Sequence, residues 1–215
     1  MNLKTIQQKL DEGRQYRDID VSMFERRAEE DGKIVSGYAT VFDQPYELWS
    51  MDGYTVLEQI DKNAFAECNM DDVIMQYNHE GRVFARTSNG TLELDPDDKG
   101  LHIRADLGGT EIGRQLFEEI EGGYTTKMSF GFRVGEDKRE VTEDHENNTV
   151  TVLRTITKIS HLYDVSAVSI PANDATSISA RNFCDGVIAE VMKEFQKRDD
   201  QRKRIRIKSK LEVSK

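Results

Sequence analysis

Three side chains far apart in the sequence have the chemistry of a nucleophile, a base and an orienting acid: Ser129, His79 and Asp164. Ser129 lies in Lys127-Met128-Ser129-Phe130-Gly131-Phe132. On a strand, successive side chains alternate between faces. Met128, Phe130, Phe132 and Val134 then cover a core, while Lys127, Ser129, Gly131 and Arg133 look the other way. Gly131 leaves room above the Ser129 hydroxyl. A serine hydroxyl is a weak nucleophile until a neighbouring base takes its proton, so the rest of the chain must supply that base and a group to orient it.

The chain has four histidines. His79 directly follows the compact apolar run Val73-Ile74-Met75-Gln76-Tyr77 and precedes Glu80-Gly81. A strand end holds a side chain on a scaffold and leaves it open to substrate. Imidazole, with an ordinary pKa of ~6.5, can accept and return a proton near neutrality. His102 falls mid-strand and His145 in a charged segment, and both read as structural or solvated. Asp164 is a carboxylate within the otherwise apolar or small run Leu162–Ile170. Burying a carboxylate costs several kcal/mol unless it is paired, so Asp164 needs a partner. His79 would serve, and so would Arg86 or Arg154. His161, three residues earlier, faces the other side of a regular strand. His79, His102 and His161 have no HExxH-like spacing, so no metal site is expected. Gly108-Gly109 and Gly122-Gly123 flank a helix instead of opening one after a strand, which argues against a phosphate loop, and no cofactor is expected.

The elements that would hold these residues are mostly strands. Lys33–Phe42, Thr55–Ile60, Val73–Tyr77, Lys127–Val134, Thr149–Ile159 and His161–Ile170 have strand character. Thr91–Asp95 and Gly100–Leu107 form a hairpin about the turn Pro96-Asp97-Asp98-Lys99. Asp61 can cap a short helix through Phe65 and Ala66. Thr110 caps a clear helix, Glu111 to Glu121, with Ile112, Leu116 and Ile120 on one face, and Gly122-Gly123 stops it. Helical spacing returns from Asp185 to Lys203. The expected fold is α+β: a closed or nearly closed antiparallel β-barrel of about seven strands with surrounding helices. Residues 1–30 read as a charged arm, flexible or helical, too poor in apolar residues for its own core. Residues 31–184 form the main domain, and 185–215 a C-terminal helix and basic tail. Arg133 to Thr149 is a charged insertion expected as an exposed hairpin end.

The formal charge of −10 over 215 residues argues against general nucleic-acid binding. From Lys193 to Lys215, however, ten Lys/Arg face four Asp/Glu, so an acidic body carries a basic tail. Cys68 and Cys184 are the only cysteines and have no CxxC or Cys/His neighbours, so both read as ordinary small residues in a reducing compartment. The first residues lack the apolar stretch of a signal peptide, and no run approaches the ~20 apolar residues that span a bilayer. A soluble protein without a membrane partner is expected.

Taken in order, several segments resemble the prohead maturation proteases of tailed bacteriophages, distant relatives of the herpesvirus assembly proteases. They are Ser36-Gly37-Tyr38-Ala39-Thr40-Val41-Phe42, then Tyr77-Asn78-His79-Glu80 with Arg86-Thr87, then Gly90-Thr91-Leu92 and Lys99-Gly100-Leu101. Met128-Ser129-Phe130-Gly131-Phe132 follows, and last Leu162-Tyr163-Asp164-Val165-Ser166-Ala167-Val168 with Pro171-Ala172-Asn173. The resemblance runs from about Lys33 to Asn182. It implies a herpesvirus-protease-like serine endopeptidase with Ser129 as nucleophile, His79 as base and Asp164 as third member. The family usually has glutamate where Asp164 stands, and the herpesvirus relatives use a second histidine, which keeps His161 as an alternative. Ala85 stands where a glycine is expected. The implied partners are the major capsid protein with its scaffolding segment and the chain itself, by self-cleavage in the charged tails. A homo-oligomer is left open. The implied setting is the immature capsid in the bacterial host. The alternative is a non-catalytic head-assembly or scaffolding protein on the same fold.

Overall fold

Thr149 to Val168 forms one continuous strand of 20 residues, and that strand is the spine of the molecule. The computed structural model describes residues 13–19, 25–29, 32–169, 184, 186–197 and 200–201. In chain order the strands are β1 (Gln15–Ile19), β2 (Glu25–Glu29), β3 (Gly32–Val41), β4 (Tyr46–Met51), β5 (Tyr54–Ile60), β6 (Ile74–Tyr77), β7 (Glu80–Arg86), β8 (Leu92–Pro96), β9 (Gly100–Asp106), β10 (Lys127–Asp144) and β11 (Thr149–Val168). Helix α1 (Glu111–Glu121) lies between β9 and β10, and α2 holds the helical residues from 184 onward. Among the described residues no helix is long and apolar enough to cross a membrane.

The expected closed antiparallel barrel is not what forms. The molecule is mostly β, with its strands in two sheets that do not close into a barrel. A seven-stranded sheet runs β1-β10-β11-β5-β4, with β6 also on β11 and β7 on β6. A four-stranded antiparallel sheet runs β2-β3-β9-β8. Nor is the larger sheet purely antiparallel. One edge of β11 takes β5 in parallel along Val150–Ile156 and β6 in parallel along Asp164–Ala167. Alternation signals a half-buried strand but is silent about the direction of its partner.

The main core joins the two sheets and α1. Val35, Ala39, Ile103 and Ala105 from the smaller sheet gather with Met128, Phe130, Phe132 and Val165 from the larger, together with Leu116, Phe117 and Ile120 of α1. Thr110 caps α1 as its sequence predicts, its hydroxyl accepting from Gly113 N at 3.1 Å. A second cluster, Val56, Val152, Cys184, Val187 and Val191, lies where α2 packs on β5 and β11.

Other segments depart from the sequence reading. The arm contributes β1 and β2, paired to β10 and β3, while residues 1–12 lie outside the described ones. Residues 62–67 form turns instead of a helix, with the Asp61 carboxylate accepting from Asn63 N at 2.8 Å. The charged insertion does not depart: it is the exposed far end of the β10–β11 hairpin, as its sequence suggests, paired as far as Asp144–Thr149. Most of the basic tail lies outside the described residues.

Candidate active site

Ser129 is presented by β10 beside β11, directly across from Ser166. Phe130 and Phe132, on the opposite face, stack with ring centroids 4.6 Å apart inside the core and fix the strand from below. This much follows from alternation.

His79 comes from a tighter device than a strand end. β6 and β7 are joined through Asn78-His79 alone, and Tyr77 pairs with Glu80 across the gap. Both loop residues have positive φ, 51° and 57°, as a two-residue type I′ hairpin requires. Asparagine and histidine are enriched among the non-glycine residues that tolerate this region, although each such residue costs on the order of 1 kcal/mol. Contacts to the end of β11 hold the turn there. Asn78 N donates to Ala167 O at 3.0 Å, and Asn78 Oδ1 accepts from Ser169 N at 3.1 Å.

The turn carries the imidazole between Ser129 and Asp164. Nε2 lies 2.6 Å from Ser129 Oγ, and Nδ1 is hydrogen-bonded to Asp164 Oδ1. The carboxylate accepts from Nδ1–H, so Nε2 keeps a lone pair aimed at the hydroxyl. Ser166 Oγ donates to the same carboxylate oxygen at 2.9 Å. The sequence reading passed over Ser166, although its place two residues beyond Asp164 puts it on the same strand face. Gly131 also has a different use from the one expected. It pairs with Asp164, and a Cβ there would stand 2.3 Å from Asp164 Oδ2. The missing side chain makes room for the acid, not for the hydroxyl.

The other candidates lie elsewhere. His161 packs on Tyr163, with ring centroids 4.3 Å apart, and His102 packs on Tyr38. His145 lies in the turn at the hairpin tip. Arg86 pairs with Asp72, and Arg154 with Glu58 and Asp137.

Two arm residues that sequence reasoning missed complete the surroundings. β1 adds to the free edge of β10 with Asp18 opposite Ser129, and the Arg17 carbonyl oxygen lies 3.0 Å from Ser129 Oγ. The Tyr16 ring meets His79 edge-on at 4.4 Å. Under this cover Ser129, His79 and Asp164 are 0%, 2% and 1% exposed. The Arg17 side chain runs beneath the sheet to Glu58, itself fully buried. Arg17 Nε donates to Oε1 and Nη2 to Oε2 at 2.9 Å, a two-pronged pairing. Arg154 Nη1 donates to Oε2 at 2.8 Å and Tyr46 OH to Oε1 at 2.6 Å. Burial alone would push the Glu58 carboxyl up, but Arg17 and Arg154 outweigh it and hold the pKa below the usual carboxylate value. Burial opposes charge on Arg17 as well, and Glu58 reverses the effect, raising its pKa. Tyr46 is raised well above its ordinary value, first by burial and then by the Glu58 charge. The arm's few apolar residues gave no hint of this, because it docks chiefly through ions and backbone, with the buried Tyr16 ring beside them.

A family model described as caudovirus prohead serine protease matches residues 22–198. The chain is 29% identical over 160 residues to the prohead protease of Enterobacteria phage HK97, covering 73% of this chain and 64% of that protein. The chain thus spans less than two thirds of that relative's length. No solved structure matches it.

Proposed function

Since the chain belongs to the caudovirus prohead serine protease family, we propose that it is a serine endopeptidase with Ser129 as nucleophile, His79 as general base and Asp164 as the acid that orients the base. The observation carrying this reading is the imidazole bridging Ser129 Oγ, at 2.6 Å, and the Asp164 carboxylate. In it, Ser129 Oγ attacks a peptide carbonyl while Nε2 takes its proton. The imidazolium that forms is stabilised by the buried Asp164. It then protonates the leaving amine, and water releases the acyl group by the same route in reverse. His161 has no part in this reading.

The proposed substrates are the scaffolding segment of the major capsid protein and the chain itself, cut inside the immature capsid of the bacterial host. Co-expression with the major capsid protein, comparing wild type with Ser129→Ala, is the direct test. Capsid processing should occur with the wild type and be absent with the variant. Identical capsid protein in both cultures would sink the endopeptidase reading and favour a non-catalytic assembly role.

A further inference from the structure

We propose that β1 occupies the substrate groove as the chain's own first substrate, and that Glu58 forms the pocket selecting arginine at the residue whose carbonyl Ser129 attacks. The inference rests on the endopeptidase reading above and names its specificity.

The backbone gives the first argument. An extended peptide that adds to an open sheet edge is bound by main-chain hydrogen bonds, with its side chains read alternately on the two faces. β1 does this on β10, in register from Gln15–Phe132 to Ile19–Met128. The carbonyl that it brings to Ser129 Oγ belongs to Arg17, with oxygen and hydroxyl 3.0 Å apart. The hydroxyl has one proton, and His79 Nε2 at 2.6 Å is the closer acceptor. The contact is to the carbonyl oxygen, so once the proton has passed to Nε2 the Arg17 peptide must rotate to turn its carbon toward the freed lone pair.

The side chains give the second argument. Alternation sends Tyr16 over His79 and Arg17 to the opposite face, where its guanidinium meets the buried Glu58 carboxylate. Glu58 meets the guanidinium with both oxygens, a geometry that fits arginine and that lysine, a point charge, reproduces poorly. Arg154 and Tyr46 also hold the carboxylate, so the pocket keeps its anion when β1 leaves. A glutamate brought there would set a second buried carboxylate against Glu58, and an aliphatic residue would forfeit the two-pronged pairing.

The step balances within the chain. Ser129 Oγ bonds to the Arg17 carbonyl carbon, and its proton passes to His79. The bond to Asp18 nitrogen breaks, and that nitrogen takes the proton. Water then hydrolyses the ester, leaving an Arg17 carboxylate and a new amino terminus at Asp18.

Intact-mass analysis and N-terminal sequencing of the full chain test the cut. The wild type should lose residues 1–17 and begin at Asp18, while Ser129→Ala should keep them. The pocket is tested without altering the enzyme. Peptides Gln-Tyr-X-Asp-Ile with X as Arg, Lys or Glu are offered to the wild type, and cleavage after Arg should exceed cleavage after Glu at least about 100-fold, with Lys between. A wild-type chain that processes its capsid protein yet keeps residues 1–17, or that cuts the Glu peptide as fast as the Arg peptide, overturns this inference and leaves the endopeptidase reading standing. Absence of any Ser129-dependent cleavage, of capsid protein, chain or peptide, overturns both.

Discussion

At the residue scale, the imidazole depends on groups that do no chemistry themselves. Asp164 can lie under Nδ1 because residue 131 has no side chain. Gly131→Ala should displace the carboxylate by a sizeable fraction of an ångström, and a misplacement of that order costs about 100-fold in kcat. Cleavage of the Arg peptide should fall accordingly, and because the new Cβ also crowds the buried Tyr16 ring, denaturant unfolding should show a loss of about 1–3 kcal/mol. Asp164→Asn should cost about 10⁴ in kcat through the wrong imidazole tautomer, and His161→Ala should leave the rate near wild type. An unaffected rate in Asp164→Asn would remove Asp164 from the mechanism. The sequence offered Ser129, His79 and Asp164, and the structure brings those three together. What it did not offer was how they meet. Nothing in Tyr77-Asn78-His79-Glu80 announces that two consecutive residues take positive φ, and the service of Gly131 to Asp164 is visible only once β10 lies beside β11.

At the element scale, β1 is held by a pairing that acid can undo. The folded pKa of Glu58 is lowered, mainly by Arg17 and Arg154 acting against burial. Its contribution is therefore fully present above the ordinary glutamate value of ~4.3 and is lost as pH falls through the lowered folded value. Hydrogen exchange on the Ser129→Ala chain should find the amides of Gln15–Ile19 protected near neutrality and increasingly open below the usual carboxylate range, ahead of those of Met128–Phe132. Simultaneous loss in both strands would mean that β1 is an ordinary part of the domain. The arm was illegible in sequence for a physical reason. Apolar periodicity detects elements that dock by a hydrophobic face, whereas β1 docks by backbone pairing, one buried ion cluster and the single buried ring of Tyr16.

At the scale of the whole molecule, two cores share one long hairpin. The main core supports the Ser129 end of β10 and β11, while Val56, Val152, Cys184, Val187 and Val191 support the far end. Val191→Asp should bury an unpaired carboxylate and cost about 3 kcal/mol in denaturant unfolding. Exchange should rise in β4, β5 and residues 149–156 and stay low around Ser129. A uniform rise would show the two clusters to be one cooperative unit. Strand positions and α1 were readable from pattern and caps, but the two-sheet arrangement was not. It turns on β11 accepting β5 and β6 in parallel, a choice made by connections and long-range packing that alternation does not record.

The strand laid along β10 also bears on timing. A segment tethered to the groove that it fills acts at an effective concentration on the order of millimolar, whatever the dilution of the protein. Cleavage of β1 in place would therefore be first order in protein, proceeding at the same rate in a dilute cytoplasm and a crowded shell. An outside peptide, by contrast, must outcompete the tether before it reaches Ser129. The enzyme would stay closed to other chains until its own folding had started an internal clock, and the clock would run once.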